Sequence, residues 1–399
     1  MVAVILSPLY LLICVYVWIK AMKWLQSCHG FFHNRWFKLI FNIVYIFFVV
    51  SPVVAFFLPE GHLQRLMKLI SNYWFGEFIY MVLFIAVADL VLLVLHKTKV
   101  IKKKEDGYKR VLAVTGAITF IAIVAMSTYG LINARITKVK NYEVSVSKEV
   151  DGIDSLNVVL IADTHLGYNI GCRMMEQMVE KVNAQNPDVV CFAGDMFDNE
   201  YSALDDPERL AEILSGIKSK YGVYAVFGNH DVEEKILAGF TFGGKKDKLN
   251  GEEMIDFMEK SNIEILRDET VLVDDSFYIV GRRDAEKPGN KEQERLNPVE
   301  LTENLDKTKP IIVIDHEPRQ LEELSHCGVD LDLCGHTHAG QIFPGNLTIK
   351  LMWDNAWGYL KEGDMHNFVT SGVGLFGPNM RTFTDSEIMQ ITVDFEEAS

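Results

Sequence analysis

Cysteine is scarce in this chain and follows no pattern. Its 399 residues include 6 cysteines, none in a C-x-x-C pair, so a structural zinc ribbon and a disulfide framework both lack a basis. Cys14 lies in an apolar stretch, Cys28 just beyond it, Cys191 and Cys334 in short β-branched runs, and Cys172 and Cys327 stand alone. All six read as free thiols, behaving as small core residues where buried. Internal repeats and low-complexity tracts are also missing. Charge of one sign is depleted in each half in turn: up to Lys140 there are 16 Lys and Arg against 5 Asp and Glu, and after it 23 against 49. The acidic half lacks the basic footprint that polynucleotide binding needs, which excludes nucleic acid as the expected partner. No protein partner is indicated.

What the basic half has instead is long apolar runs. Residues 2–19, 39–58, 78–95 and 111–132 are each near the ~20 residues that cross a bilayer, and they predict an all-α bundle of four transmembrane helices over residues 1–140. The first has no positive n-region and no small-residue cleavage site before Lys20, so it reads as a retained helix rather than a signal peptide. Lys20, Lys23, Arg35 and Lys38 mark the first loop, and Lys97, Lys99, Lys102, Lys103, Lys104, Lys109 and Arg110 the third; the second has Arg65 and Lys68 alone. Positive-inside bias places the first and third loops in the cytoplasm and residues 141–399 on the other side, although Arg135, Lys138 and Lys140 oppose this. The expected location is a multi-pass cell-membrane protein with an extracytoplasmic second domain. Asp89 is the one acidic residue well inside a span. Such a carboxylate is costly in hydrocarbon, and a structural hydrogen bond to a neighbouring helix is the favoured reading.

The acidic half alternates short apolar runs with amphipathic segments. Tyr142, Val144 and Val146 alternate with polar neighbours and suggest a first strand. Helix candidates cover 173–186, 207–220, 252–261 and 298–305, the first with Met175, Met178, Val179 and Val182 at helical spacing. This alternation predicts a single α/β domain on buried strands. A glycine- and lysine-rich stretch over 239–251 is a candidate flap.

Five apolar runs end in polar clusters: Asp163-Thr164-His165, Gly194-Asp195-Met196-Phe197-Asp198, Gly228-Asn229-His230-Asp231, His316-Glu317-Pro318 and Gly335-His336-Thr337-His338. Strands that deliver polar residues from their C-terminal ends would bring these clusters to one place. Five of the seven histidines after Lys140 fall in them; His326 and His366 do not. Asp163, His165, Asp195, Asn229, His316, His336 and His338 are the expected metal ligands. Imidazole mixed with carboxylate suits manganese, iron or zinc better than calcium. Seven ligands are too many for one ion and fit two divalent ions about 3.5–4 Å apart, with Asp195 as the natural bridge.

In order and spacing these clusters resemble the calcineurin-like metallophosphoesterases, whose pattern is DxH, GDxxD, GNH[DE], a later H, and GHxH. The chain matches every block between Asp163 and His338. It is similar to the bacterial membrane-associated branch, which has GHTHGGQ where this chain has Gly335-His336-Thr337-His338-Ala339-Gly340-Gln341, and a glycine-rich run ending in arginine, here Gly372 to Arg381. The resemblance implies a four-layer α-β-β-α sandwich. It implies one ion on Asp163, His165, Asp195 and His338, a second on Asp195, Asn229, His316 and His336, and His230 as the residue that contacts phosphate and assists the leaving group. A histidine near such a centre but not bound to it can protonate the leaving oxygen. Asp198 and Asp231 are candidates for orienting the ligands. Arg283 and Arg381 are candidate substrate contacts because guanidinium matches phosphate. Phe343, Trp353 and Trp357 form either an apolar wall or core.

The expected function is a membrane-anchored phosphoesterase that hydrolyses phosphodiester or pyrophosphate bonds of lipid-linked or envelope compounds, by in-line attack of a hydroxide bridging the two ions. The alternative is a phosphomonoesterase of nucleotide or protein substrates. A non-catalytic metal-stabilised scaffold or sensor has no lost ligand to support it, and a transporter reading has no helix repeat.

Overall fold

The structure, a computed structural model, describes residues 2–101, 107–237, 240–242, 250–287 and 294–396. The candidate flap over 239–251 falls largely outside the described residues. The chain forms two compact units: a helical one built on residues 1–132, with which the segments 236–242 and 377–380 group, and an α/β one that begins at Asn133.

Four helices make the first unit: α1 (Val2–Cys28), α2 (Arg35–Phe57), α3 (His62–Lys97) and α4 (Gly107–Asn133). All four are long and apolar enough to cross a membrane. Ile40, Leu90, Ile118 and Ile121 point outward, the inverse of a water-soluble bundle. Polar tips of aromatic rings tie the inside together. Trp74 Nε1 donates to the Tyr10 hydroxyl at 2.8 Å, Tyr10 donates to the Val49 carbonyl at 2.9 Å, and Tyr45 donates to the Cys14 carbonyl at 2.8 Å. Asn34 caps α2 by accepting from the Trp36 N–H. Asp89 accepts from Tyr16 at 2.8 Å and pairs with Lys20, which is the expected structural hydrogen bond. The third span differs from its prediction. α3 has 36 residues, because Gln64, Ser71 and Asn72 dilute the hydropathy of its first half while Met67, Ser71, Trp74 and Phe78 keep one buried face at helical spacing.

The α/β unit holds two six-stranded sheets. The first has the order β1 (Thr137–Val146), β14 (Ser386–Phe395), β2 (Ser155–Ile161), β3 (Val189–Ala193), β4 (Val223–Val226), β7 (Glu264–Ile265). The second runs β12 (Gly358–Glu362), β13 (Met365–Val369), β11 (Leu331–Cys334), β10 (Ile311–Ile314), β9 (Phe277–Gly281), β8 (Glu269–Val273). β5 (Lys235–Leu237) and β6 (Phe240–Phe242) form a separate two-stranded ribbon. The central strands β2, β3, β4 and β9, β10, β11, β13 run parallel within their sheets, as expected of continuous apolar runs covered on both faces.

Period-two alternation sorts those runs into layers. Val158 and Leu160 of β2, Val189 and Cys191 of β3, Ile312 and Ile314 of β10 and Leu331 and Leu333 of β11 meet between the sheets. The alternate residues Val159, Ile161, Val190 and Phe192 face α5 (Cys172–Ala184), α6 (Pro207–Ser215) and α7 (Glu252–Lys260) through Met175, Met178, Leu210, Leu214 and Phe257. On the far side Ile311 and Val313 meet α8 (Pro298–Thr302) and α9 (Leu321–His326) through Leu301, Leu321 and Leu324. The result is the α-β-β-α sandwich. The sequence-based boundary at residue 140 falls inside β1, which pairs in register with β14 from Thr137 against Ser386 to Val146 against Phe395.

Beyond β10 and β9, a buried ion triad fixes the chain. Asp315 receives Arg282 Nη1 at 2.8 Å and Arg295 Nη2 at 2.5 Å. Asp315→Ala leaves two guanidinium groups buried without their carboxylate, a loss of about 3–5 kcal/mol. The unfolding midpoint of the full chain in detergent should fall accordingly; an unchanged midpoint would assign the triad no structural role.

Candidate metal centre

Each cluster picked out in the sequence leaves the C-terminal end of a strand: Asp163 and His165 after β2, Asp195 after β3, Asn229 and His230 after β4, His316 after β10, His336 and His338 after β11. Tight turns at these ends are required because a sheet edge must bend back over itself. Asp163, His165, Asp195, His336 and His338 have φ between 43° and 70°. Non-glycine residues held there cost about 1 kcal/mol or more each, and such conformations cluster at functional sites. Two glycines permit the close approach. A Cβ on Gly335 would stand 2.6 Å from Asp163 Oδ2, and one on Gly228 would overlap Asp195 Oδ1.

The seven expected ligands come together in two adjoining groups. Asp163, His165 and His338 form one; Asp195, His316 and His336 form the other, with Asn229 joined to it. In the first, His165 Nε2 and His338 Nε2 are 3.0 Å apart and Asp163 Oδ1 is 3.6 Å from His338 Nε2. In the second, His316 Nε2 is 3.1 Å from His336 Nδ1, 3.0 Å from Asn229 Oδ1 and 3.2 Å from Asp195 Oδ2. Asp195 Oδ2 also lies 3.7 Å from His165 Nε2, so one carboxylate faces both groups. Imidazole nitrogens aimed at each other at such range repel unless a proton or cation lies between them. Bonds of about 2.1 Å to a common divalent ion set ligand–ligand edges of roughly 3.0–3.4 Å; the separations of 3.0, 3.1 and 3.2 Å match these, and those of 3.6 and 3.7 Å are slightly wider. The donor set fits a pair of divalent ions.

Surrounding bonds fix how the ligands present themselves. His316 Nδ1–H donates to the Ala193 carbonyl at 2.8 Å, linking the two sheets and turning Nε2 inward. The His336 N–H donates to the Asp163 carboxylate, 3.1 Å from each oxygen. Asp231 accepts from the N–H groups of Phe197 at 2.8 Å and Gly228 at 2.7 Å, joining the loops that carry Asp195 and Asn229. Asp198 Oδ1 lies 3.7 Å from His165 Nδ1.

Burial and crowded charge set the protonation states. Burial pulls His336 down to about 3 and His338 well below the ordinary imidazole value, which leaves both neutral and able to ligate. Burial opposes charge on His165 and His316 as well, but the carboxylates beside them prevail: Asp198, Asp195 and Asp163 push His165 up, and Asp195 with Asp163 pushes His316 well up. Asp195 is buried, yet His316 and His230 hold it well below the usual carboxylate range. Asp163 is pushed up to about 6 and Asp231 to about 7, chiefly by burial.

His230 stands beside both groups. Its N–H donates to Asp195 Oδ1 at 2.7 Å, and its ring lies 5.1 Å from that of His165 and 4.8 Å from that of Phe376. Nδ1–H donates to Asn199 Oδ1 in a short bond. Burial lowers its pKa to about 4. Asn199 is fully buried and also donates to the Val232 carbonyl. It was missed in the sequence, although it directly follows the Gly194–Asp198 run.

The two arginines proposed as substrate contacts are otherwise engaged. Arg381 reaches the site but is fully buried. Its nitrogens donate to the carbonyls of Ser371, Gly374 and Asp385, and Nη2 lies 3.2 Å from His338 Nδ1. It positions His338 and the glycine-rich run, leaving no donor facing outward. Arg283 has Nε 3.5 Å from Asp268, a structural pairing. Of the three aromatics, Trp353 stands edge-on to His336 at 5.2 Å with the Arg319 guanidinium 4.9 Å from its ring. Phe343 meets Phe383, and Trp357 donates to Glu387. Arg319 is half-exposed and also bonded to Glu317.

Metal content tests the shared carboxylate. Full-length protein loaded with manganese should hold about two equivalents by elemental mass spectrometry, and His336→Ala about one. Asp195→Ala should hold less than one; an unaltered count in that variant contradicts a carboxylate common to both groups.

The family model for calcineurin-like phosphoesterases matches residues 156–340, the span that contains every residue of both groups. The chain is 27% identical to a transmembrane protein with metallophosphoesterase domain from Danio rerio, over 97% of this chain and 88% of that one. It is 27% identical to an uncharacterized metallophosphoesterase of Campylobacter jejuni over 89% of each, and 27% identical to one of Aquifex aeolicus over 69% of this chain and 98% of the other. The zebrafish alignment takes in the helical unit as well as the sandwich. Over residues 156–340 the chain carries a domain that matches the calcineurin-like phosphoesterases.

Proposed function

We propose that this protein is a membrane-anchored, dinuclear-metal phosphoesterase that hydrolyses phosphodiester or pyrophosphate bonds of lipid-linked or envelope compounds, with its α/β unit outside the cytoplasm. The observation that carries the reading is the convergence of two ligand groups on Asp195, with His230 alongside in a further cluster with His165 and Asp198. Asp163, His165, Asp195 and His338 would hold one divalent cation and Asp195, Asn229, His316 and His336 the other; manganese, iron or zinc suits the donors. The cations would supply positive charge to the phosphoryl oxygens and an acidified water.

The protein's own groups do the rest. The Asn199 bond to Nδ1–H orients the His230 ring and leaves Nε2 without a proton of its own; Nε2 would take the proton that the attacking water gives up and pass it to the leaving oxygen as that oxygen is displaced in line. Phe376 covers the His230 and His165 rings and keeps water from that side. Leu347, Leu351 and Met352, 60%, 87% and 72% exposed, lead into Trp353, and a run of apolar side chains next to the site supports a substrate with a lipid part. The basic loops between α1 and α2 and between α3 and α4 support the outward placement of the sandwich.

Full-length protein with manganese should cleave bis-p-nitrophenyl phosphate faster than p-nitrophenyl phosphate, and Asp195→Ala should cleave neither. Because β1 begins at Thr137, truncation at Tyr142 would cut a paired strand, so the whole chain is the sample. His230→Ala should slow a diester with a poor alkoxide leaving group by roughly 10²–10⁴ and affect the nitrophenyl diester far less. Equal losses would remove the proton-donor role, and monoester preference would favour a phosphomonoesterase.

A further inference from the structure

The helical unit holds an open-sided cavity of about 780 Å³ lined by α1, α3 and α4, with Phe48 of α2, within the size range of small-molecule sites. Its wall follows one face of α3 through Tyr73, Glu77, Met81, Ile85, Leu92 and His96. At 1.5 Å per residue that face is about 34 Å long, enough to cross the ~30 Å hydrocarbon layer. The opposite wall is α4, where Trp24 of α1 lies against Gly116, stacks on Phe120 at 5.6 Å and donates to the Ala113 carbonyl at 3.2 Å. The indole is thereby held rigidly in the lining.

The cavity has polarity along its length. Lys20, Lys23, His96 and Tyr108 gather at one end, where α1 and α3 finish and α4 begins; Trp74 and Glu77 stand toward the other. Three of the four lining charges are already satisfied. Lys20 pairs with Asp89, Asp89 also accepts from Tyr16, and Glu77 accepts from Ser127 at 2.7 Å. Lys23 is exposed and has no ion-pair partner among the described residues. An apolar slot at membrane depth with a lysine at its basic end that is unpaired among the described residues calls for a hydrocarbon chain and a negative headgroup, and basic residues at such a level attract anionic lipid. Glu77 disfavours the reverse orientation.

We propose that this slot binds one anionic glycerophospholipid, its acyl chain along α3 and its phosphate at Lys23. This site is independent of the chemistry proposed for the sandwich. The test is native mass spectrometry of the full chain in mild detergent, titrated with dioleoyl phosphatidylglycerol or dioleoyl phosphatidylcholine. One phosphatidylglycerol should be retained per chain in preference to the zwitterionic lipid. Lys23→Gln should weaken retention about fivefold, the effect of one juxtamembrane cation, and Ala88→Trp, which places an indole in the slot, should abolish it. Equal retention of the two lipids, or phosphatidylglycerol retention unmoved by Lys23→Gln, overturns the proposal. Lys23 is exposed, so that variant decides the question even where Ala88→Trp fails to fold.

Discussion

The Asp195 carboxylate stands at the end of β3 with Oδ1 tied to the backbone of His230 and Oδ2 turned between the imidazoles of His165 and His316. Bringing one negative group that close to so many buried nitrogens dictates much of the surrounding structure. The glycine at 228 admits it, the His316 bond to Ala193 sets the facing ring, and Asp231 joins the loops on either side. A carboxylate so placed without cations has to be compensated by protons, which is why His316 is pushed well up, while burial, helped by charge on the neighbouring His316 and His165, holds His336 and His338 neutral. Divalent ions would replace those protons at the same positions.

The two-sheet sandwich makes this geometry rigid. Ligands come from the C-terminal ends of strands in both sheets, so the spacing of the two groups depends on how the sheets stack, and that stacking rests on the inter-sheet residues of β2, β3, β10 and β11. Left-handed residues that carry ligands stand at the same strand ends. The buried triad on Asp315 and the carbonyl-bound Arg381 support the loops from behind. Arg282, Arg295 and Arg381 illustrate the use of guanidinium as internal scaffolding, where several donors saturate acceptors that a turn leaves unpaired.

Much of this was legible in the sequence because it depends on local patterns. Continuous β-branched runs such as Ile311-Ile312-Val313-Ile314 read as buried strands, and polar clusters immediately after them read as a site, since strand polarity fixes which end delivers residues. Four apolar helices were legible from hydropathy alone. What escaped was whatever depends on direction or on distant pairing. The charge and position of Arg381 suggested phosphate, but its side chain turns inward to carbonyls that no linear pattern reveals. Asn199 acquires meaning only when β4 brings His230 beside it. The early start of α3 was hidden because Gln64 and Ser71, polar but buried, lowered a hydropathy average that cannot see which residues are covered. β1 extended past the expected boundary because its partner, β14, lies at the opposite end of the chain.

Two chemistries are thus separated along one polypeptide: an apolar helical unit stabilised by aromatic hydroxyl and indole bonds, and a sandwich organised around a compensated carboxylate. The claim that Asp195 is shared by two cations is tested most directly by electron paramagnetic resonance of the full chain loaded with manganese. A bridged pair gives an exchange-coupled spectrum, and this is the predicted result. The hyperfine pattern of isolated manganese at full loading would contradict the account.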